Sequence, residues 1–283
     1  MKKYVVIVAG GKGLRMGGDL PKQFIPVGGK PILMHTLETF YRWDASAEIV
    51  LVLPEDHQPY WKMLCREIGC AVPHRIVAGG ETRFHSVRNG LAFLAQAYAW
   101  PGFERGIVPG VEPDWKPGVE SFVEPSIGPD RAPGVEAGAA PESFYIAVHD
   151  GVRPFVAPSV ITACFEEAAR NGAAIPVVPM VDSLREADEN GSRPVDRSRY
   201  FAVQTPQVFD GPLLLKAYAA GYDPSFTDDA SVAEASGVRV ALVEGNRENI
   251  KITTPFDLWI ARVWLEKPDR QAGPAGQGDA LFR

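Results

Sequence analysis

Apolar residues along this chain follow two rhythms. Tyr4 to Ala9 and Glu48 to Leu53 are short, continuous, β-branched runs, each ended by glycine or proline, and they read as strands buried on both faces. Between them the spacing turns helical. Ile32, Leu33, Thr36, Leu37 and Phe40 recur within Lys30 to Tyr41, and Val87, Leu91, Phe93 and Leu94 give Arg83 to Tyr98 an apolar face. Gln58 to Gly69 reads as a further helix and Arg75 to Ala78 as a short strand. Strand and helix in alternation predict an α/β domain with a mostly parallel sheet covered on both sides.

From Trp100 to Ser143 the rhythm disappears. The stretch is rich in proline, glycine and acid, and Pro-Gly-Val-Glu recurs at Pro109, Pro117 and Pro133. Proline cannot continue a helix or donate to a strand ladder, so residues 100–143 are expected to be an inserted, disordered or extended loop, with a partner-binding segment as the functional alternative. Order resumes with a strand over Phe144 to His149, a helix from about Ser159 to Asn171 closed by Gly172, and a strand over Ala174 to Pro179. Val181 to Tyr200 is polar with a turn at Asp188 to Gly191, which predicts a β-arm over 181–200 standing off the body. Further elements are expected at Phe201 to Phe209, Pro212 to Gly221, Val238 to Val243, Asn249 to Thr253 and Pro255 to Glu266. A helix opening at Thr227-Asp228-Asp229 would use the threonine hydroxyl as its cap. One domain over 1–267 and a flexible tail over 268–283 follow from this reading.

Composition narrows the classes. A net charge of -6 gives no basic field for nucleic acid, and no stretch approaches the ~20 apolar residues of a membrane span. The three cysteines, Cys65, Cys70 and Cys164, have neither zinc nor disulfide-framework spacing, so a reducing, cytoplasmic setting is expected. The N-terminal apolar run is broken at once by glycines and is not a signal peptide.

The candidate chemistry gathers first in Val5 to Met16, where a strand runs into Gly10, Gly11 and Gly13, with Arg15 and Lys22 close behind. Backbone can approach an anion where side chains are absent, and fixed cations neutralise it, so the stretch reads as a polyphosphate cradle. A dinucleotide fingerprint would need glycine where Met16 stands; a P-loop would need serine or threonine where Pro31 follows Gly29-Lys30 and Gly13 follows Gly11-Lys12. Asp150, at the carboxyl end of a strand, is placed to hold Mg²⁺, which needs only one or two protein carboxylates, or to cap its turn. His149 could serve as a base or pack behind the turn. Arg153 could bind phosphate or pair with an acid, and Lys251, flanked by Ile250 and Ile252, could face solvent or the cleft.

Six stretches occur in a fixed order: AGGKGLRM with PKQF, GGETRFHSV, HDGVRP, VDRSRYFAVQTPQVF, TDDAS and EGNRENIKIT. With them the chain resembles the 2-C-methyl-D-erythritol 4-phosphate cytidylyltransferase family, over nearly everything but the 100–143 insertion and the tail. In the family that the chain resembles, the equivalent of that insertion usually spans only a few residues. The resemblance implies a Rossmann-like fold and a homodimer paired through the arm. It also implies transfer of the cytidylyl group of CTP to a small polyol phosphate with Mg²⁺. Residue by residue, it implies catalytic roles for Arg15, Lys22, Arg197 and Lys251 and a metal-binding role for Asp150. It further implies a nucleotide site of Ala9, Gly10, Gly11, Gly13, Gly80, Glu81, Arg83, Ser86 and Gly151, and an acceptor site of Arg153, Ser183 and Thr205. Ser183 stands where the family commonly has threonine. An acceptor phosphate is already an anion, so such a transfer needs positioning and positive charge rather than a base. A cytidylyltransferase for another polyol phosphate, such as ribitol 5-phosphate, and a silent nucleotide sensor are the alternatives.

Overall fold

The computed structural model describes residues 1–11, 20–98, 100 and 143–265. Gly13, Arg15, the tail and all of the insertion except Trp100 and Ser143 lie outside the described residues. The strands are β1 (Lys2–Val8), β2 (Pro26–Val27), β3 (Lys30–Pro31), β4 (Glu48–Leu53), β5 (Arg75–Ala78), β6 (Phe144–Asp150), β7 (Ala173–Pro179), β8 (Leu184–Asp188), β9 (Gly191–Val195), β10 (Phe201–Val203), β11 (Gln207–Asp210) and β12 (Ala241–Glu244). The α-helices are α1 (Ile32–Trp43), α2 (Gln58–Ile68), α3 (Arg83–Ala97), α4 (Pro158–Asn171), α5 (Gly211–Ala219), α6 (Asp229–Ala235) and α7 (Pro255–Leu265).

The central sheet runs β5-β4-β1-β6-β11-β7-β12, with β10 continuing along the same edge of β7 as β11. It is parallel except for β10 and β11. The alternation of β1 explains why both of its faces are apolar. Val5 and Ile7 join one core with Leu33 and Leu37 of α1, Trp61 of α2 and Phe165 of α4. Tyr4, Val6 and Val8 join the other, with Val87 and Leu91 of α3, Leu214 of α5 and Val232 of α6. This is the mostly parallel, Rossmann-like sheet covered on both faces that the sequence predicts. No helix among the described residues is long and apolar enough to cross a membrane.

Several boundaries differ for local reasons. The tiny antiparallel pair β2–β3 precedes α1 where helix was expected from Lys30, because Pro31 sits extended as its N-cap. Phe201 to Phe209 is split into β10 and β11 at a cis Thr205-Pro206 bond. The cap of α6 is Asp228 rather than Thr227, in a reciprocal capping box with Ser231. Asn249 to Thr253 is not a strand. Ile252 makes one backbone bond, to the Val152 carbonyl at 3.0 Å, and its buried side chain joins a small cluster with Val27, Ile32, Val152 and Ala261.

Trp100, the first residue assigned to the insertion, belongs to the core. Its ring stacks on Phe144 at 4.1 Å and meets Tyr4 edge-on at 5.1 Å. The described residues on either side of positions 101–142 therefore meet at one aromatic contact.

Candidate active site

β1 is flanked by β4 on one side and β6 on the other, so the strand order reverses there; at such a point open α/β sheets form their ligand crevice, outside the carboxyl ends of the strands, here β1 and β6. Ala9, Gly10 and Gly11 leave β1 into that crevice. The Ala9 N–H donates to the Val52 carbonyl at 3.0 Å, and the Ala9 carbonyl accepts from Gln23 Nε2 at 2.9 Å. Gln23 is fully buried in the one-turn helix Lys22–Phe24, so this bond fixes Lys22 beside the glycines. A Cβ on Gly11 would stand 3.3 Å from Lys22 Cε and 3.6 Å from its Nζ. The ammonium stem therefore lies across the bare backbone of the loop.

Gly151 needs to be glycine because β1 and β6 end in contact. A Cβ there would meet Ala9 Cβ at 2.8 Å and Leu33 Cδ1 at 2.9 Å. Gly80 is equally constrained, its missing Cβ falling 2.4 Å from His85 Cβ in the first turn of α3. Its N–H donates to Ser86 Oγ at 3.1 Å, and that hydroxyl donates to the Thr82 carbonyl at 3.0 Å. Ser86 thus shapes the loop before α3, and Glu81 is exposed on it.

The centre of the crevice is Asp150. Lys251 Nζ lies 3.0 Å from its Oδ2, Arg153 Nε 3.3 Å from the same oxygen, and Arg83 Nε 3.6 Å from Oδ1. Arg83 also donates to the fully buried Asp229 at 2.7 Å, whose other oxygen accepts from Tyr218 at 2.6 Å. Burial works against ionisation of Asp150, but the charges of Arg83, Lys251 and Arg153 overcome it and hold the carboxyl well below the usual carboxylate range. Burial likewise opposes the charge on Arg83, and Asp229 and Asp150 more than restore it. Among these groups three cations face two carboxylates, so the crevice keeps surplus positive charge of the kind that receives phosphate. Arg83, expected at the nucleotide, spends its guanidinium between Asp229 and Asp150. Lys251 is brought to the cleft although its segment is not a strand.

The turn after β6 is held from behind. The Asp150 N–H donates to Thr205 Oγ1 at 3.1 Å, Thr205 Oγ1 lies 3.0 Å from His149 Nδ1, and His149 Nε2 lies 3.0 Å from the Arg153 carbonyl. Burial pushes the His149 imidazole down to about 4. Arg153 Nη1 donates to the Asn249 carbonyl at 2.7 Å, while Asn249 Nδ2 donates to the Thr205 carbonyl at 2.8 Å. Thr205, expected to face the acceptor, is buried with its hydroxyl engaged in this network. Arg197 and Ser183 lie exposed on the arm, where Arg197 donates to the Val181 carbonyl, and neither belongs to the described ion pairs on Asp150.

A divalent ion here would have one carboxylate, and no cluster of three acidic, histidine or cysteine side chains exists among the described residues. Such a set fits Mg²⁺ held jointly with substrate phosphates, because Lys251, its side chain 42% exposed, has room to release Oδ2. The residues missed by sequence reasoning are Gln23, Asp229 and Asn249. All three stand inside quoted motifs, PKQF, TDDAS and EGNRENIKIT, where the visible signal is a polar residue near a functional one.

Residues 3–101 and 128–267 match the family model described as IspD: 2-C-methyl-D-erythritol 4-phosphate cytidylyltransferase. The chain is 51% identical over 265 residues to the 2-C-methyl-D-erythritol 4-phosphate cytidylyltransferase of Bacteroides thetaiotaomicron, covering 94% of this chain and 100% of that one. It is 45% identical over 266 residues to the Porphyromonas gingivalis protein of that name. Among solved structures it is similar to the Thermus thermophilus enzyme of that name, at 30% identity and a TM-score of 0.63, covering 94% of this chain and 100% of that one.

Proposed function

The chain belongs to the 2-C-methyl-D-erythritol 4-phosphate cytidylyltransferase family, and from that premise we propose that it transfers the cytidylyl group of CTP to 2-C-methyl-D-erythritol 4-phosphate. An acceptor phosphate oxygen attacks the α-phosphorus, the bond to the β-phosphate bridge breaks in line, and pyrophosphate leaves with that electron pair. The observation that carries the reading is the gathering of Arg83, Arg153 and Lys251 on Asp150 at the switch point of the sheet, with Lys22 lying across Gly11.

Two anions must meet in this reaction, so the protein's work is positioning and preorganised charge. Lys22 and Arg15 stabilise the α-phosphate as it becomes five-coordinate. Lys251, Arg153 and Arg197 hold the acceptor phosphate. Asp150 orients Lys251 and Arg153 and would hold Mg²⁺ together with the triphosphate, the ion supplying further charge neutralisation. Ala9, Gly10, Gly11, Gly13, Gly80, Glu81, Ser86 and Gly151 line the nucleotide, and Ser183 faces the acceptor. Pyrophosphate release from CTP is expected with methylerythritol phosphate, abolished by EDTA and restored by Mg²⁺. Faster release with ribitol 5-phosphate would transfer the assignment to that acceptor, and CTP binding without turnover of any acceptor would refute the enzyme reading.

A homodimer through the arm belongs to the same proposal. β8 and β9 pair with each other and are exposed along nearly their whole length, a surface that a second copy would cover. Sedimentation is expected to show a dimer that becomes a monomer when residues 184–195 are replaced by a short Gly-Ser turn. A wild-type monomer with full turnover would contradict this.

A further inference from the structure

His149 does no chemistry in the proposed transfer, yet it is fully buried next to the residue on which the cations converge. Its ring packs edge-on against Phe40, with centroids 4.8 Å apart. The polar contacts fix the direction of every proton. The Arg153 carbonyl can only accept, so Nε2 carries the hydrogen. In a neutral ring Nδ1 then carries a lone pair, and Thr205 must donate its one hydroxyl proton to it. That leaves a Thr205 lone pair for the Asp150 N–H. The run from the Asp150 amide to the Arg153 carbonyl is thus a single ordered chain, and it closes the turn Asp150–Arg153 from the side away from the crevice. Without it, the buried Asp150 N–H at one end of the turn and the part-buried Arg153 carbonyl at the other would lose the partners this chain gives them.

We propose that His149 is a positioning residue that, through the Thr205 hydroxyl and the Arg153 carbonyl, sets the Asp150–Arg153 turn so that the Arg153 guanidinium meets the acceptor phosphate. The inference rests on the proposed transfer. It assigns His149 chiefly to the acceptor half: in the described bonds His149 reaches the Arg153 carbonyl directly, whereas Gly151, which lines the nucleotide in the same turn, is held separately by its own N–H bond to the Val8 carbonyl at 2.9 Å.

Three substitutions separate the two ends of the chain. His149→Phe keeps ring volume and removes both bonds. His149→Asn keeps a polar atom near Nδ1, for Thr205, and His149→Gln keeps a donor near Nε2, for the Arg153 carbonyl. The expected result is an acceptor KM raised between about 10- and 100-fold in the Phe and Asn variants, with the CTP KM changed less than about twofold. The Gln variant is expected to recover most of the loss. Thermal melts accompany each variant, and the Asn and Gln pair decides the matter if the Phe variant does not fold. A Gln variant as impaired as the Asn variant, an unchanged acceptor KM in the Asn variant, or equal rises in both KM values would overturn the inference. Absence of turnover in the wild-type protein would instead overturn the proposed transfer.

Discussion

Replacing Lys22 with alanine is expected to lower kcat by roughly 10²–10³, about 3–4 kcal/mol of transition-state stabilisation, and to leave the melting temperature almost unchanged. The two halves of that expectation have different causes. Stability of the segment comes from its neighbours: Phe24 packs against Trp61 and Tyr60, and Gln23 is bonded to the Ala9 carbonyl, while Lys22 itself is only half-buried. Activity depends on where the ammonium is held. Its stem lies across Gly11, so the charge is already in place at the loop where the α-phosphate would bind, and it need not reorganise as charge grows there. Lys22→Gln, which keeps length without charge, is expected to be nearly as slow as Lys22→Ala. Steady-state kinetics with a melt on each variant checks this, and a folded alanine variant of near-normal kcat would remove Lys22 from the transition state.

The scaffold was legible wherever one element sufficed to show its period. The alternation of Tyr4, Val5, Val6, Ile7 and Val8 predicts two buried faces, and in the fold these residues divide between two cores. The pair β2–β3 was not legible, because two residues are too few to carry a period and two of the four are prolines. Lys251 shows the limit at the site. Its apolar neighbours suggested a strand, but Ile252 is buried as an anchor beside Val152 and Ala261, and the loop it anchors turns Lys251 to Asp150. Only the ordered motif EGNRENIKIT marked Lys251 as functional, since no local spacing encodes a partner so distant in the chain. Arg83 and Asp229 make the same point. Both stood inside quoted motifs, yet their 2.7 Å bond joins the starts of α3 and α6 and becomes visible only once the sheet brings those helices together.

Asp150→Asn tests the centre of the crevice, and it should cost both stability and rate. The substitution keeps shape but leaves Lys251, Arg153 and Arg83 facing a neutral amide, with Asp229 still pairing Arg83. Removing one partner of a buried ion pair costs about 3–5 kcal/mol, and the half-exposed Lys251 places this case at the lower end, about 3 kcal/mol. The pH dependence identifies the cause. The native carboxyl ionises well below its usual range, so the unfolded chain takes up the proton first as pH falls. The stabilisation is therefore complete above the ordinary carboxylate pKa of about 3.9 and is lost as pH falls below it toward the depressed native value. Urea unfolding should show wild type well ahead of Asp150→Asn at pH 7, with the gap narrowing toward pH 3. The rate should fall by about 10² or more at pH 7, because Lys251 and Arg153 lose the anchor that aims them, and a Mg²⁺ held with the triphosphate, as proposed, would lose its protein carboxylate. A gap in stability that does not change with pH would show that the loss comes from packing rather than charge. An Asn variant of near-normal kcat would remove Asp150 from both proposed roles, and with it the reason for gathering three cations at the end of β6.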